Sequence, residues 1–163
     1  MAAGLVYEPE HEQFRDAVRE FVRRSVLPHY EDWERAGLLP RSLFTEAGAQ
    51  GLLGFSVPAE HGGPGSADFR FNAIVAEEVN RAGAASVGVA LEVHNDVALP
   101  YLTDLTNADQ RARWLPGTVT GDAVLAIAST EPGAGSDLTG IRASAVRDGD
   151  DYLLNGAKTF ISN

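Results

Sequence analysis

The amino-acid sequence predicts a mainly α, bundle-like part over residues 1–121, followed by the opening strands of a β domain over residues 122–163. Three observations predict this. Apolar residues recur every three to four positions through the first part, the period of an amphipathic helix. After Gly121 the period drops to two, the alternation of a strand. Pro and Gly cluster between these stretches, where they mark turns.

From Glu10 to Val26, Phe14, Val18, Phe21 and Val22 share one helical face, and Glu20 stands four residues before Arg24, an order that supports a helix on its wet side. Leu43, Phe44, Ala47, Leu52 and Leu53, after Pro40 and Arg41, predict a short second helix. The run from Val57 to Ser66 (VPAEHGGPGS) reads as loop, with Ser66 as cap of a helix whose face is Phe71, Ile74, Val75 and Val79. From Ala84 to Leu99 the chain is apolar almost all round, which predicts a central buried helix. His94, Asn95 and Asp96 interrupt it and, with Pro100, predict a break. Asn107 and Gln110 are a capping-box pair for a helix that holds Arg111, Arg113 and Trp114 and is ended by Pro116 and Gly117. Residues 123–129 (AVLAIAS) read as a buried strand, 142–147 as an alternating one, 148–151 (DGDD) as a turn and 152–154 as a strand. Asn155-Gly156 reads as a type I′ hairpin turn, with 158–162 as the returning strand.

The 163 residues carry 13 Lys+Arg against 23 Asp+Glu, a net charge of −10, which excludes a nucleic-acid groove built on clustered cations. All but one of the basic residues are Arg; the exception is Lys158. A hydrophobic share of 44% with 22% charged residues describes a soluble globular protein. With no cysteine, disulfides, thiolate nucleophiles and Cys-based zinc sites are excluded, and His11, His29, His61 and His94 are too isolated to predict a metal site. The start, MAAGLVYEPEHEQF, lacks the basic and apolar regions of a secretory signal and is too acidic for a transit peptide. No run approaches the ~18 apolar residues of a membrane span, so a cytoplasmic location is the expectation. The final FISN is a strand-like run without a cap, which predicts a truncated chain.

The stretch richest in chemistry is Ser129 to Asp137, STEPGAGSD. A strand delivers Thr130 and Glu131 to its end, and Pro132 stops a ladder from continuing. Gly133 and Gly135 then allow a tight turn whose N–H groups, beside the Ser136 hydroxyl, form a nest suited to an anion such as phosphate. An ordinary glycine turn is the other reading. The spacing matches neither a Walker A loop nor a GxGxxG fingerprint.

Residues 126–137 (AIASTEPGAGSD), continued by 138–142 (LTGIR) and then by 155–163 (NGAKTFISN), resemble the acyl-CoA dehydrogenase family of flavoproteins. Upstream, 110–121 (QRARWLPGTVTG) looks like the helix that leads out of that family's N-terminal domain. The likeness covers essentially the whole chain. It implies an N-terminal helical bundle, residues 1–121, followed by the first strands of a β-barrel-like middle domain, residues 122–163. It also implies an FAD cofactor lined by Ile127 to Ser136. Ser129 would offer backbone hydrogen bonds to the pyrimidine end of the ring, and the Thr130 hydroxyl would lie near the N5 and O4 edge. Gly135 and Ser136 would hold the pyrophosphate side, with Ser136 also meeting the acyl-CoA. Phe160, Ile161 and Ser162 would form a second wall, although many members carry Trp at the first of these positions and Thr at the last.

The implied reaction is FAD-dependent α,β-dehydrogenation of an acyl-CoA thioester in fatty-acid oxidation, with electrons passed to an electron-transfer flavoprotein. The full-length form is expected to be a tetramer or dimer. The pattern from Ala85 to Pro100 is nearest to members acting on longer straight chains. The family's base, a Glu of the C-terminal domain, has no counterpart here, so no catalytic residue is assigned, and the chain alone is expected to be inactive and to bind FAD weakly or not at all. A non-catalytic assembly fragment, an acyl-CoA oxidase-like or monooxygenase flavoenzyme and a dead product of a truncated frame stand as alternatives.

Without the motif, each side chain has a plainer reading. Thr130 is then a strand-end hydroxyl, Phe160 a core residue, Lys158 a solvated turn residue, and Trp33 and Trp114 packing residues. Asp137 accepts a bond within its own turn. His94, Asn95 and Asp96 either shape substrate choice or satisfy a helix break.

Overall fold

The structure, a computed structural model, describes residues 6–163. The reading of the first residues as neither signal nor transit peptide falls in part on residues 1–5, outside those described. The chain divides into two compact units, one running to Leu125 and joined by Asn163, the other Ala126–Ser162. Each is described by itself.

In the first unit, α1 (Pro9–Phe21) starts on a proline, whose missing N–H is no loss at a helix start. Val18 and Phe21 are buried as the periodicity predicts, and Phe14 packs against the same cluster. The predicted helix to Val26 does not stay α: residues Val22–Val26 form a π-turn, closed by Leu27 N–H donating to the Val22 carbonyl at 2.9 Å. Widening the last turn leaves both Val22 and Val26 buried. The following α2 (Tyr30–Ala36) has no counterpart in the sequence reading, because it buries none of its residues and so shows no apolar period. Gly37, at φ +64°, ends it in the left-handed conformation.

The predicted second helix is α3 (Arg41–Ala49), with Leu43, Phe44 and Ala47 inward. Ser66 does not cap the next helix, α4 (Arg70–Arg81), directly. Its hydroxyl accepts from Asp68 N–H at 3.2 Å, while the Asp68 carboxylate stands closer to the helix and accepts from Arg70 N–H at 3.0 Å. The apolar run from Ala84 becomes α5 (Ala85–Glu92), a π-turn over Val93–Ala98, and α6 (Leu99–Leu105). The predicted break is thus a π-turn, after which Pro100 sits in the first turn of α6, where it lacks nothing. Nor is the segment buried all round: Val87, Ala90 and Leu91 are buried, but Val89 and Val97 are exposed.

The capping box of α7 (Ala108–Thr120) forms as predicted, with Gln110 N–H donating to Asn107 Oδ1 at 2.9 Å and Gln110 Oε1 accepting from Asn107 N–H at 3.1 Å. Pro116 does not end this helix. Leu115 and Thr118 are both buried, so the inward face continues past the proline until Gly121, at φ +80°, turns the chain. A Cβ on Gly121 would lie 2.1 Å from the Phe44 carbonyl oxygen, and one on Gly48 would lie 2.4 Å from that of Thr120. The backbones of α3 and α7 therefore meet through two glycines.

The second unit contains a single antiparallel pair among the described residues, β1 (Ser144–Asp148) and β2 (Asp151–Asn155), in register from Ser144 opposite Asn155 to Asp148 opposite Asp151. The hairpin turn is Gly149-Asp150, with Gly149 at φ +62°, as the DGDD reading has it. Two strand expectations are corrected. Residues 123–129 form no strand, since none of them enters a backbone ladder among the described residues. Asn155-Gly156 is not a I′ turn: Asn155 ends β2 opposite Ser144, and the chain continues past Ala143, whose Cβ would be 2.7 Å from a Cβ on Gly156. Residues 158–162 form no returning strand; Lys158 and Thr159 instead bond to the Ser129–Glu131 segment.

Candidate functional site

The segment 129–137 is shaped by its own short-range bonds. Glu131 and Ala134 exchange backbone bonds at 2.9 and 3.1 Å across Pro132-Gly133, which closes a four-residue turn with proline at its second position. Neither Gly133 nor Gly135 has a positive φ, and a Cβ on either would meet nothing within 4 Å. No internal contact therefore requires glycine at these positions. The N–H groups of Gly133, Gly135 and Ser136 have no partner among the described residues, and all three residues are exposed. Asp137 turns away from them, accepting from Thr139 N–H at 3.0 Å and from its hydroxyl at 2.6 Å, as its turn reading expects.

Glu131 is the hub of the unit. Its buried carboxylate accepts from Arg142 N–H at 2.8 Å, Ala143 N–H at 2.9 Å and the Lys158 ammonium at 2.9 Å. These donors, the Arg142 amide first, lower its pKa to about 2 from the ordinary 4.5. A carboxylate so held is a poor proton acceptor. Lys158 also donates to the Ser129 carbonyl at 3.1 Å, and Thr159 N–H donates to the Thr130 carbonyl at 3.0 Å. Lys158 is thus no solvated turn residue. The sequence reading missed this pair, although the only lysine among so many arginines was a signal for it.

Of the residues singled out from sequence, Ser129 and Thr130 are half-buried and tied to 158–159, Ile127 is half-buried, and Gly135 and Ser136 lie on the open turn. Phe160, Ile161 and Ser162 are exposed. Phe160 is not core: 90% of it is exposed, at a backbone φ of +56° that is unusual for a bulky residue.

In the helical unit, His94 and Asn95 are consumed internally. Nδ1 of His94 accepts from Leu125 N–H at 3.1 Å, which leaves Nε2 to donate to the Thr118 carbonyl at 2.9 Å and fixes a neutral tautomer. Burial pushes its pKa below 6.5 against the pull of that carbonyl. Asn95 bridges Leu52 O and Gly54 N. Asp96 takes a bond from Asn72, and burial raises its pKa. The structural reading of His94 and Asn95 is the one their contacts support. Glu8, Glu10 and His11 approach one another, but both ring nitrogens of His11 are engaged, by Glu8 N–H and by Asp68.

A pH prediction follows for His94. The unfolded imidazole binds a proton more readily than the folded one, so stability is full above about pH 6.5 and falls as pH drops below it. The urea midpoint is expected to fall between pH 7.5 and 5.5, and His94→Gln to flatten that fall. An equal slope in the variant contradicts the assignment.

Residues 8–122 match the family model described as acyl-CoA dehydrogenase, N-terminal domain, and residues 126–163 match that of the middle domain. The chain belongs to the acyl-CoA dehydrogenase family. It is 42% identical over 158 residues to the mitochondrial long-chain specific acyl-CoA dehydrogenase of Sus scrofa, covering 97% of this chain and 36% of that protein. Among solved structures it is similar to an acyl-CoA dehydrogenase from Geobacillus kaustophilus, with a TM-score of 0.89 at 41% identity, over 98% of this chain and 41% of the other. A glutaryl-CoA dehydrogenase from Mycobacterium smegmatis in complex with FADH2 gives a TM-score of 0.87 at 29% identity, over 95% and 39%. The chain thus spans well under half the length of these relatives. No helix among its described residues is long and apolar enough to cross a membrane. The expected cytoplasmic location gains no support from the pig relative, which is named as mitochondrial.

Proposed function

We propose that Ala126–Ser162 forms one wall of an FAD site in a protein that dehydrogenates long straight-chain acyl-CoA thioesters and passes the electrons to an electron-transfer flavoprotein. The observation that carries this is the open Gly133–Ser136 turn: unpartnered N–H groups at Gly133, Gly135 and Ser136 among the described residues, and glycines that no internal contact requires. Gly135 and Ser136 would hold the pyrophosphate, and Ser136 would also meet the acyl-CoA. Ser129 and Thr130 would border the ring beside Ile127, and Phe160, Ile161 and Ser162 would face it from the second segment. An exposed aromatic at positive φ costs about 1–3 kcal/mol, a strain that a stacking role would offset. The bound flavin supplies hydride acceptance; the chain's own residues orient it and screen it from water.

The long-chain assignment is supported by the identity to the long-chain specific relative. No residue of this chain is assigned as the base, and residues 1–121 and 122–163 are proposed as the helical domain and the start of the middle domain. The oligomer is proposed to form through the full-length protein.

The test is a chimera in which these residues replace the matching part of the Geobacillus kaustophilus enzyme. It is expected to hold flavin and oxidise long-chain acyl-CoA with an artificial acceptor, while the 163-residue chain shows no turnover. A folded, flavin-free chimera contradicts the flavin wall, and turnover by the chain alone contradicts the assignment of the base to none of its residues.

A further inference from the structure

We propose that Glu131 and Lys158 are positioning residues that lock the Ser129–Ser136 loop to the Phe160–Ser162 segment, so that the two present one surface to a bound ring. This rests on the flavin reading above.

The two segments are separated in sequence by the β1–β2 hairpin, and their outer residues are exposed. Between residues 129–131 and 158–159 the backbone contributes one hydrogen bond, Thr159 N–H to Thr130 O. The remaining ties pass through two side chains. The Lys158 ammonium reaches both the Ser129 carbonyl and the Glu131 carboxylate, and the carboxylate also gathers the amides of Arg142 and Ala143 at the root of β1. Removing the Lys158 ammonium therefore unties the second wall from the loop at two points, Ser129 O and Glu131, while removing the Glu131 carboxylate frees the root of β1 and leaves Lys158 on the Ser129 carbonyl alone.

Peptide geometry carries the effect to the site. Because the peptide unit is planar and trans, a Ser129 carbonyl held toward Lys158 forces the Thr130 N–H to the opposite side. That N–H has no partner among the described residues, so Lys158 sets the direction of an open donor beside the Thr130 hydroxyl. An ammonium, with donors that are not confined to one plane, suits a carbonyl and a carboxylate approached from different directions better than a guanidinium fork does. This gives a physical reason for a lysine at 158 in a chain whose other side-chain cations, apart from histidine, are all arginine.

The experiment uses the 15N-labelled 163-residue chain and two readouts, amide exchange and chemical-shift changes on titration with FAD. In Lys158→Met, exchange at Thr159 is expected to quicken by about tenfold, with Arg142 and Ala143 still held by Glu131 and with Val18 and Ile74 unchanged as a check on the helical unit; in Glu131→Gln it is Arg142 and Ala143 that quicken. FAD-induced shifts at Thr130, Ser136 and Phe160 are expected to need about tenfold more FAD, in keeping with the sensitivity of a site to small misplacement. Lys158→Arg should restore part of both effects, which loss of packing alone does not explain. Glu131→Gln, which keeps shape and an acceptor oxygen, provides the milder variant should methionine melt the second unit. Unchanged exchange and unchanged FAD dependence in Lys158→Met overturn the inference while leaving the flavin wall intact. FAD shifts in the unsubstituted chain that saturate but are confined to the helical unit overturn the flavin wall and the positioning role with it, even if exchange quickens.

Discussion

Glu78→Ala is expected to destabilise the helical unit by about 3 kcal/mol, at the lower end of the range for breaking a buried ion pair. Glu78 is 4% exposed and Arg15 5%, and their charged groups meet at 2.6 Å between α4 and α1. Arg19 reaches the other carboxylate oxygen at 2.8 Å. Burial alone would raise the Glu78 pKa, but its bonds to Arg19 and Arg15 outweigh burial and lower it below 4.5. Without the carboxylate, Arg15 stays buried with a weaker set of partners: Glu77 at 2.7 Å, Glu12 at 3.3 Å and the Tyr7 ring, 4.4 Å from its guanidinium. Those survivors keep the cost from reaching the top of the range. Because the folded carboxyl is the stronger acid, its contribution is complete above about pH 4.5 and fades as pH falls below that. Urea denaturation at pH 7 checks the magnitude, and a shallower acid slope in Glu78→Gln checks the sign. A variant within about 0.5 kcal/mol of the parent, the range of ordinary surface changes, contradicts the pair's role.

Gly121→Ala is expected to cost about 2–4 kcal/mol, the sum of a left-handed backbone penalty and forced overpacking. The residue sits at φ +80°, and its Cβ would come within 2.1 Å of Phe44 O, 2.4 Å of Phe44 C and 2.8 Å of Thr45 N. All three are backbone atoms, so no rotamer change relieves the clash; α3 and α7 must move apart. Gly37 provides the control. It too is left-handed, at φ +64°, but a Cβ there meets nothing within 4 Å, so Gly37→Ala should show only the backbone penalty of about 1 kcal/mol. Thermal melts of the two variants separate the terms, and equal losses would show that the contact at Gly121 adds nothing.

What was legible in the sequence follows from which signals have a period. The faces of α1, α3 and α4 were readable because Val18, Leu43 and Ile74 recur with their neighbours at helical spacing and are buried. The start of α7 was readable from Asn107 and Gln110, a pair with a defined geometry. The π-turns at 22–26 and 93–98 were not, since a helix that widens for five or six residues shifts the apolar stripe too little to stand out. Pro116 misled because a local rule was overruled by the burial of Leu115 and Thr118 on either side of it. Asn155-Gly156 misled in the same way, with residues 158–159 already engaged by Ser129–Glu131. At the proposed site, the motif singled out an exposed turn whose glycines, Gly133 and Gly135, have no internal contact that requires them. The Glu131–Lys158 connection was not readable, because it joins positions that only the folded chain brings together.

The most direct measurement is titration of the 15N-labelled 163-residue chain with FAD into the millimolar range. Weak, saturable shifts are expected at Ser129, Thr130, Gly135, Ser136, Phe160, Ile161 and Ser162, with the amides of α1 and α4 unmoved. Shifts confined to the helical unit would contradict a flavin wall built from these residues.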